Sequence, residues 1–506
     1  MRWPWLTALC LFLSVPVAAA QPPTAAQVRA AEEALSAMDH DRFQRDEGYA
    51  GTIADHLIVL QAAPGLSDAR RAALRNALVY ALAAAGRHDS AEEAADALLR
   101  EQPNDADAYD LALIAAQGAE RWPRLADIIE RALASLAPED RAGLLSIERV
   151  SWLMRAVFEG GDSRSRARIA EVLLAAGWPG ESAPLSAADS LRLLLIDRAL
   201  ERGETAAARG LAAEVQGLGT ALRLATDRRY DPLMGTADRM ASVRSAIDRE
   251  DRLTAARLAA APEDIEALVD RATFLRSIGR DPAVLDLLLP LMSDVRIVAG
   301  RHSRGLWLVN EAAYSLIATG AAGEAVELMR PLFELDVDAN PELVNTSINF
   351  VGILWQAGRS EEALERANSF MAASARHASD YGKMWIFANA VCAATELRRT
   401  ADSAAWLERA APIADSNRSA MLQALLCRGD MDAAERVLLG ALGDEENRGS
   451  AILWLQDYQP VAHADAAQRL REAFLRLRAR PAIEAELARL GHRLRLPIPA
   501  VLHGWY

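Results

Sequence analysis

A chain of 506 residues is longer than one hydrophobic core needs, and a formal net charge of −14 argues against nucleic acid or an anionic membrane as its main ligand. Hydrophobic residues make up 51% but aromatics only 6%, so the apolar content is mostly Ala and Leu, which suits closely packed helices better than β-sheets. Lys383 is the sole lysine; the prevalence of Arg reads as a compositional habit and not as a binding signal.

The first twenty residues have the pattern of a signal peptide. Arg2 supplies the charge, Trp5 to Val17 the apolar run, and Ala18-Ala19-Ala20 the small-residue cleavage pattern before Gln21. Pro4, Pro16 and the shortness of the run count against an uncleaved anchor. No later segment is long and apolar enough to span a bilayer. The expectation is an exported chain in a bacterial periplasm, with no integral membrane segment in its mature form. Export leaves Cys392 and Cys427, in equivalent-looking places of neighbouring units. An oxidising compartment permits a disulfide, but spacing does not fix geometry, and two buried thiols are the expectation.

Residues 21–65 read as an N-terminal helix pair. Thr24 caps the first helix, Ala25 to Met38, and the second runs from about Glu47 to Ala63 and stops at Pro64-Gly65. His40, between Asp39 and Asp41, is flanked by carboxylates on what reads as a solvated loop. Ser67 then starts a helix with Ala73, Leu74, Ala77, Leu78, Ala81 and Leu82 at helical spacing, a face that needs a neighbour.

From there to about residue 445 one unit recurs: a helix, a Gly turn, a second helix, then a Pro or acidic break. Gly86-Arg87 precedes Ala91, Ala94, Ala95 and Leu98; Gly358-Arg359 precedes Ala363, Leu364, Ala367 and Phe370. Gly203, Gly279, Gly320 and Gly429 open similar second helices. Weaker turns are expected at Glu120-Arg121, Gly161-Asp162, Asp251-Arg252 and Arg399-Thr400. Gly takes the left-handed conformation that ends the first helix, and a small residue five positions later lets the two helices approach.

These units resemble tetratricopeptide repeats. Gly86, Ala91 and Pro103 fall at that family's spacings, Tyr109 stands where the next first-helix aromatic belongs, and Gly358 to Leu364 is similarly close. The resemblance implies an all-α fold, a right-handed α-α superhelix of about ten to twelve helix pairs. Residues 66–235 are read as its N-terminal half and 236–445 as its C-terminal half. Gly177-Trp178-Pro179-Gly180 reads as a long loop, and Gly217 to Gly235 as the bend between halves. Residues 446–506 form capping helices and an extended apolar tail that lies back along the solenoid.

No phosphate loop, nucleophile elbow, zinc-protease helix or metal-spaced Cys pair occurs. Glu181-Ser182 matches the catalytic dipeptide of lytic transglycosylases, but the Ala183-Pro184-Leu185 that follows departs from that family's motif. The chain therefore reads as non-enzymatic, with no cofactor. Its candidate site is the inner face of the first helices, at positions ten and six residues before each turn. Those positions hold Asn76 and Tyr80, then Asn310 and Tyr314, with Asn389 equivalent before Arg399. Trp307, Asn345, Asn349 and Trp355 lie on or near the same side. Each Asn amide has a donor and an acceptor that can grip an extended backbone, and the aromatics supply rigid apolar contacts. The competing reading has these Asn bonding neighbouring helices and the aromatics in the core. The expected function is a periplasmic scaffold or adaptor that holds a peptide or protein in its concave groove, in envelope assembly or secretion. The alternative is a peptidoglycan- or glycan-associated regulator working through residues 466–495, where Arg outnumbers Glu eight to three.

Overall fold

The computed structural model describes residues 22–180, 184–235, 238–301, 304–335, 337, 340–445, 447–459 and 465–499. The expected signal peptide, Glu181-Ser182 and residues 500–506 lie outside them. The chain divides into two compact units at Pro179/Gly180, earlier than the stretch read as a bend. Tyr230, in that stretch, is fully buried inside the second unit and donates to Asp197 at 2.6 Å.

Unit 1 runs α1 (Ala25–Ser36), α2 (His40–Arg45), α3 (Glu47–Gln61), α4 (Asp68–Ala84), α5 (His88–Glu101), α6 (Ala106–Gly118), α7 (Trp122–Ser135), α8 (Pro138–Leu144), α9 (Ile147–Glu159) and α10 (Ser163–Ala175). Thr24 caps α1 through a reciprocal bond with Gln27, and Asp39, beside His40, caps α2 by accepting from the Arg42 amide.

Unit 2 begins with α11 (Leu185–Glu201), α12 (Thr205–Ala213), α13 (Leu218–Thr226), a 3₁₀ turn over Arg228–Leu233, and α14 (Asp238–Ala260). It continues with α15 (Ile265–Ser277), α16 (Asp281–Leu288), α17 (Val295–Arg301), α18 (Gly305–Ala318), α19 (Ala322–Met329), α20 (Leu343–Gln356), α21 (Ser360–Ala373), α22 (Asp380–Glu396) and α23 (Thr400–Ala410). Last come α24 (Arg418–Arg428), α25 (Met431–Gly443), α26 (Arg448–Trp454), β1 (Asp457–Gln459), α27 (Asp465–Arg478), α28 (Pro481–Leu490) and β2 (Arg495–Pro499).

Most of these helices form sequence-adjacent pairs, and the pairs turn as the sequence implies. Gly86, Gly161, Gly203, Gly279, Gly320, Gly358 and Gly429 have positive φ, as do the non-glycines Glu120 and Arg398. The amide after each left-handed residue bonds back into the last helical turn, as Arg359 does to the Leu354 carbonyl at 2.8 Å. Ala91, Ala208, Ala325, Ala363 and Ala434, five residues past their turns, are fully buried where the two helices meet. The Arg after a turn also reaches back to an acid of the preceding unit: Arg87 to Asp55, Arg121 to Asp89, Arg359 to Glu327, Arg399 to Glu361. These ion pairs are exposed and individually worth little, so the stack rests on its apolar contacts.

One expected turn does not exist. Asp251-Arg252 lies inside the 23-residue helix α14. The Arg271 guanidinium donates to the Asp251 carbonyl, the Asp251 carboxylate and the Thr254 hydroxyl, bracing the helix where the break was expected. The two cysteines also differ from expectation. Cys392 in α22 and Cys427 in α24 are disulfide-bonded, with Cα atoms 5.1 Å apart. Their positions are not equivalent, since Cys392 stands six residues before Arg398 and Cys427 two before Gly429. The packing of α22 against α24, and not the repeat register, brings them together.

The end of the described chain closes on the start of unit 2. β2 pairs in parallel with β1, a small sheet that the helical reading did not anticipate. Before it, the His492 amide donates to the Thr226 carbonyl at 2.7 Å, and Gly491 bridges to Asp227. The His492 ring meets the Asp231 carboxylate at 2.8 Å, and Arg239 reaches the same carboxylate at 2.5 Å. Leu496 and Ile498 are buried among Leu218, Leu222, Val243 and Leu453. Thus the first part of the tail lies back on the unit, as expected.

Candidate functional site

Residues spaced i, i+3, i+4 and i+7 share one face of a helix. Counted back from the left-handed residue, the inward positions of each first helix are thirteen, ten, nine and six residues ahead of it. In α4 these are Ala73, Asn76, Ala77 and Tyr80; in α6, Asp107, Asp110, Leu111 and Ile114; in α9, Glu148, Ser151, Trp152 and Arg155. Ala73, Ala77, Asp107, Glu148, Ser151 and Arg155 are exposed, and Tyr80 and Trp152 stand 43% and 46% exposed. Phe158, one turn further along α9, is 44% exposed. Unit 1 therefore leaves large aromatics on its first-helix face.

Local contacts hold these rings in place. The Tyr80 ring lies 5.7 Å from that of Phe43, which α2 buries. Arg149 donates to Asp110 at 2.5 Å, tying α9 to α6, and its guanidinium sits 5.1 Å from the Trp152 ring. Arg166 covers Phe158 at 4.7 Å. Asp107, Glu148 and Glu159 carry carboxylates with no ion-pair partner among the described residues. Asn76 is half-buried and its Oδ1 accepts no hydrogen bond.

The corresponding face of unit 2 is closed at several of these positions. Asn310 (2% exposed), Trp355 (2%) and Asn389 (7%) are buried, which corrects their reading as partner-contacting residues. Asn389 accepts from the Gln423 amide at 2.9 Å and lies against Gly352. It is thus a helix-to-helix strut of the competing kind. The cause is twofold. The left-handed residue is Arg398 and not Arg399, so Asn389 falls nine residues before its turn, still an inward position, but there the neighbouring helices α20 and α24 enclose it. In addition, α27 packs against α20 and α24, Arg469 pairs with Glu396 of α22, and Leu470, Phe474 and Leu477 join the core that contains Trp355. At the outer end of the face, Trp307 and Asn345 remain exposed, both thirteen residues before their turns. Asn349 and Tyr314 are half-buried, with the Arg276 guanidinium 5.3 Å from the Tyr314 ring. The sequence reading passed over Trp152 and Phe158; counting back nine and three residues from Gly161 finds them.

The basic C-terminal end is largely paired within the chain. Arg478 meets Asp457, Arg480 meets Asp432 and Glu435, Arg489 meets Glu486, and Arg493 meets Glu484. This pairing counts against the alternative of a basic dock and accords with the capping role read for residues 446–506. Among the described residues no group of His, Cys, Asp and Glu could hold a metal ion, and no helix is long and apolar enough to cross a membrane.

The paired helices and their left-handed turns define a tetratricopeptide-like helical repeat protein. No family model matches the sequence, and no curated protein matches it. Among solved structures it is similar to that of Naa15/Naa10 bound to HypK-THB, at 13% identity over 93% of this chain and 74% of that one, with a TM-score of 0.29. It is similar also to the APC/C hetero-tetramer Cut9-Hcn1 (11% identity, 91% and 92% covered, TM-score 0.26) and the P58(IPK) TPR domain (15%, 83% and 98%, 0.18). Scores this low carry no argument, and the repeat class rests on the helix pairs themselves.

Proposed function

We propose that this chain is an exported, non-enzymatic scaffold that binds a protein partner on the first-helix face of unit 1. The observation that carries the reading is the clustering there of three exposed aromatics, Tyr80, Trp152 and Phe158, where the equivalent positions of unit 2 bury Asn310, Trp355 and Asn389 and leave Trp307 as the exposed large aromatic. Large rigid aromatics, partly prepositioned by local contacts, are the side chains on which protein interfaces concentrate their binding energy. Export to a bacterial periplasm is supported by the leader pattern of residues 1–20 and by the Cys392–Cys427 disulfide, since such bonds persist in oxidising compartments. A role in envelope assembly or secretion is the setting we propose for such a scaffold. The test places a photoreactive phenylalanine analogue at position 80 or 152 in cells of the source organism. One discrete adduct, absent when the analogue replaces the exposed Leu289 of unit 2, is the expected result. Equal labelling at all three positions, or none, would overturn the reading.

A further inference from the structure

We infer that the partner segment received by unit 1 is a basic amphipathic helix. This rests on the proposed function above and names the chemistry of its partner. The chain itself shows what its first-helix faces accept. In unit 2 that ligand is α27, whose Ala467, Leu470, Ala473, Phe474 and Leu477 recur at helical spacing and are buried. Arg469, on its flank, reaches down to Glu396, two residues before the turn at Arg398. An Arg-bearing amphipathic helix therefore covers first helices of this repeat without any extended-strand contact, and it does so with an acid at the rim.

Unit 1 repeats those conditions with the place of the helix open. Small Ala73 and Ala77 share the inward positions of α4 with Tyr80, α6 presents half-buried Leu111 and Ile114 there, and α9 presents exposed Trp152 and Phe158. Glu159 stands two residues before the turn at Gly161, the position that Glu396 holds in unit 2. Asp107 and Glu148 add two further unpaired carboxylates, against Arg155 as the single basic side chain at the inward positions. Arg149 is held by Asp110, which leaves Arg155 and the Arg166 guanidinium over Phe158 against the three carboxylates of Asp107, Glu148 and Glu159. The face is thus apolar with an acidic excess, complementary to a helix with an apolar stripe and Arg beside it.

The test uses the full chain and a fluorescein-labelled peptide with the sequence of Asp465–Arg478, followed by anisotropy and far-ultraviolet circular dichroism. The expected result is saturable binding with a gain of helicity. Trp152→Ala with Tyr80→Ala should weaken it at least tenfold, as should Glu148→Lys with Glu159→Lys. A peptide whose Arg are changed to Glu should not bind. These positions are exposed, so the variants keep the fold; unchanged circular dichroism of the free variants checks this. Binding that is absent, that persists unchanged in both variants through exchange with α27, or that is matched by a proline-interrupted peptide of the same composition would overturn the inference. A partner crosslinked at position 152 through a non-basic or extended segment would leave the proposed function standing and sink this one.

Discussion

Gly491 is required by distance and not by dihedral angle. Its backbone is extended, yet a Cβ there would stand 3.0 Å from the Thr226 carbonyl oxygen and 2.9 Å from Ile452 Cγ2. That carbonyl is the one that accepts from His492, so it cannot withdraw without losing the bond. Gly491→Ala should lower stability by about 1–3 kcal/mol, measured by urea denaturation. A second residue gives a pH signature. Burial pushes the Asp270 carboxyl up to about 6, although Arg257 and Arg304 pull it partly back. The folded state then holds more protons than the unfolded one between about pH 4 and 6, so this group's contribution is present below that window and lost as pH rises through it. Stability of the native chain relative to Asp270→Asn should therefore be higher at pH 4 than at pH 7, by ~2–3 kcal/mol at most. A flat difference across that range would refute the assignment. At this scale the sequence was readable where position alone fixes the environment, as at Tyr80. It misled at Asn310 and Asn389, because how closely the neighbouring helices pack over a position leaves no mark beside either residue.

Each helix pair depends on one residue that adopts a left-handed conformation. Glycine marks seven of the turns described above, and those were legible; Glu120 and Arg398 do the same work with side chains that resist it. Glu120→Gly should raise stability by about 0.5–1 kcal/mol, read as a higher urea midpoint. Arg398 also explains the one-residue slip in the expected register, since Arg399 looked as good a turn residue. In α14 the opposite error arose: Asp248 to Leu253 contains no strong helix breaker, and the turn expected there was inferred from period alone. The disulfide acts between elements as a staple of α22 to α24. Closing a separation of 35 residues should be worth about 3–4 kcal/mol, so Cys392→Ala with Cys427→Ala should shift the urea transition down by that amount. No comparable shift would show that the bond adds little to the fold.

At the scale of unit 2, the fold departs from an open stack of repeats. Ordinary repeats touch only their neighbours, but here α26, α28 and β2 return to α13, the Arg228–Leu233 turn and Val243. Asp231→Ala removes the acceptor shared by His492 and Arg239. It should reduce amide-exchange protection around Thr226 and around His492 together, while α20 to α22 keep theirs; loss at only one of the two places would show that they do not form one contact. The sequence predicted the helices of this region and the returning tail. It could not predict the closure, which joins residues without a shared local pattern.

That closure also bears on how the unit comes to exist. The Arg228 guanidinium donates to the Ala488 carbonyl across a sequence separation of 260, and His492 meets Asp231 across one of 261. A stack with only neighbour contacts can assemble as each repeat emerges, but a pairing this remote imposes a large loop-closure entropy and slows the search. Until the residues around 490 arrive, Leu218, Leu222 and Val243 have no cover from the tail. Chains cut short before that point should be degraded during synthesis or export, and no shortened form should persist as a working half of unit 2.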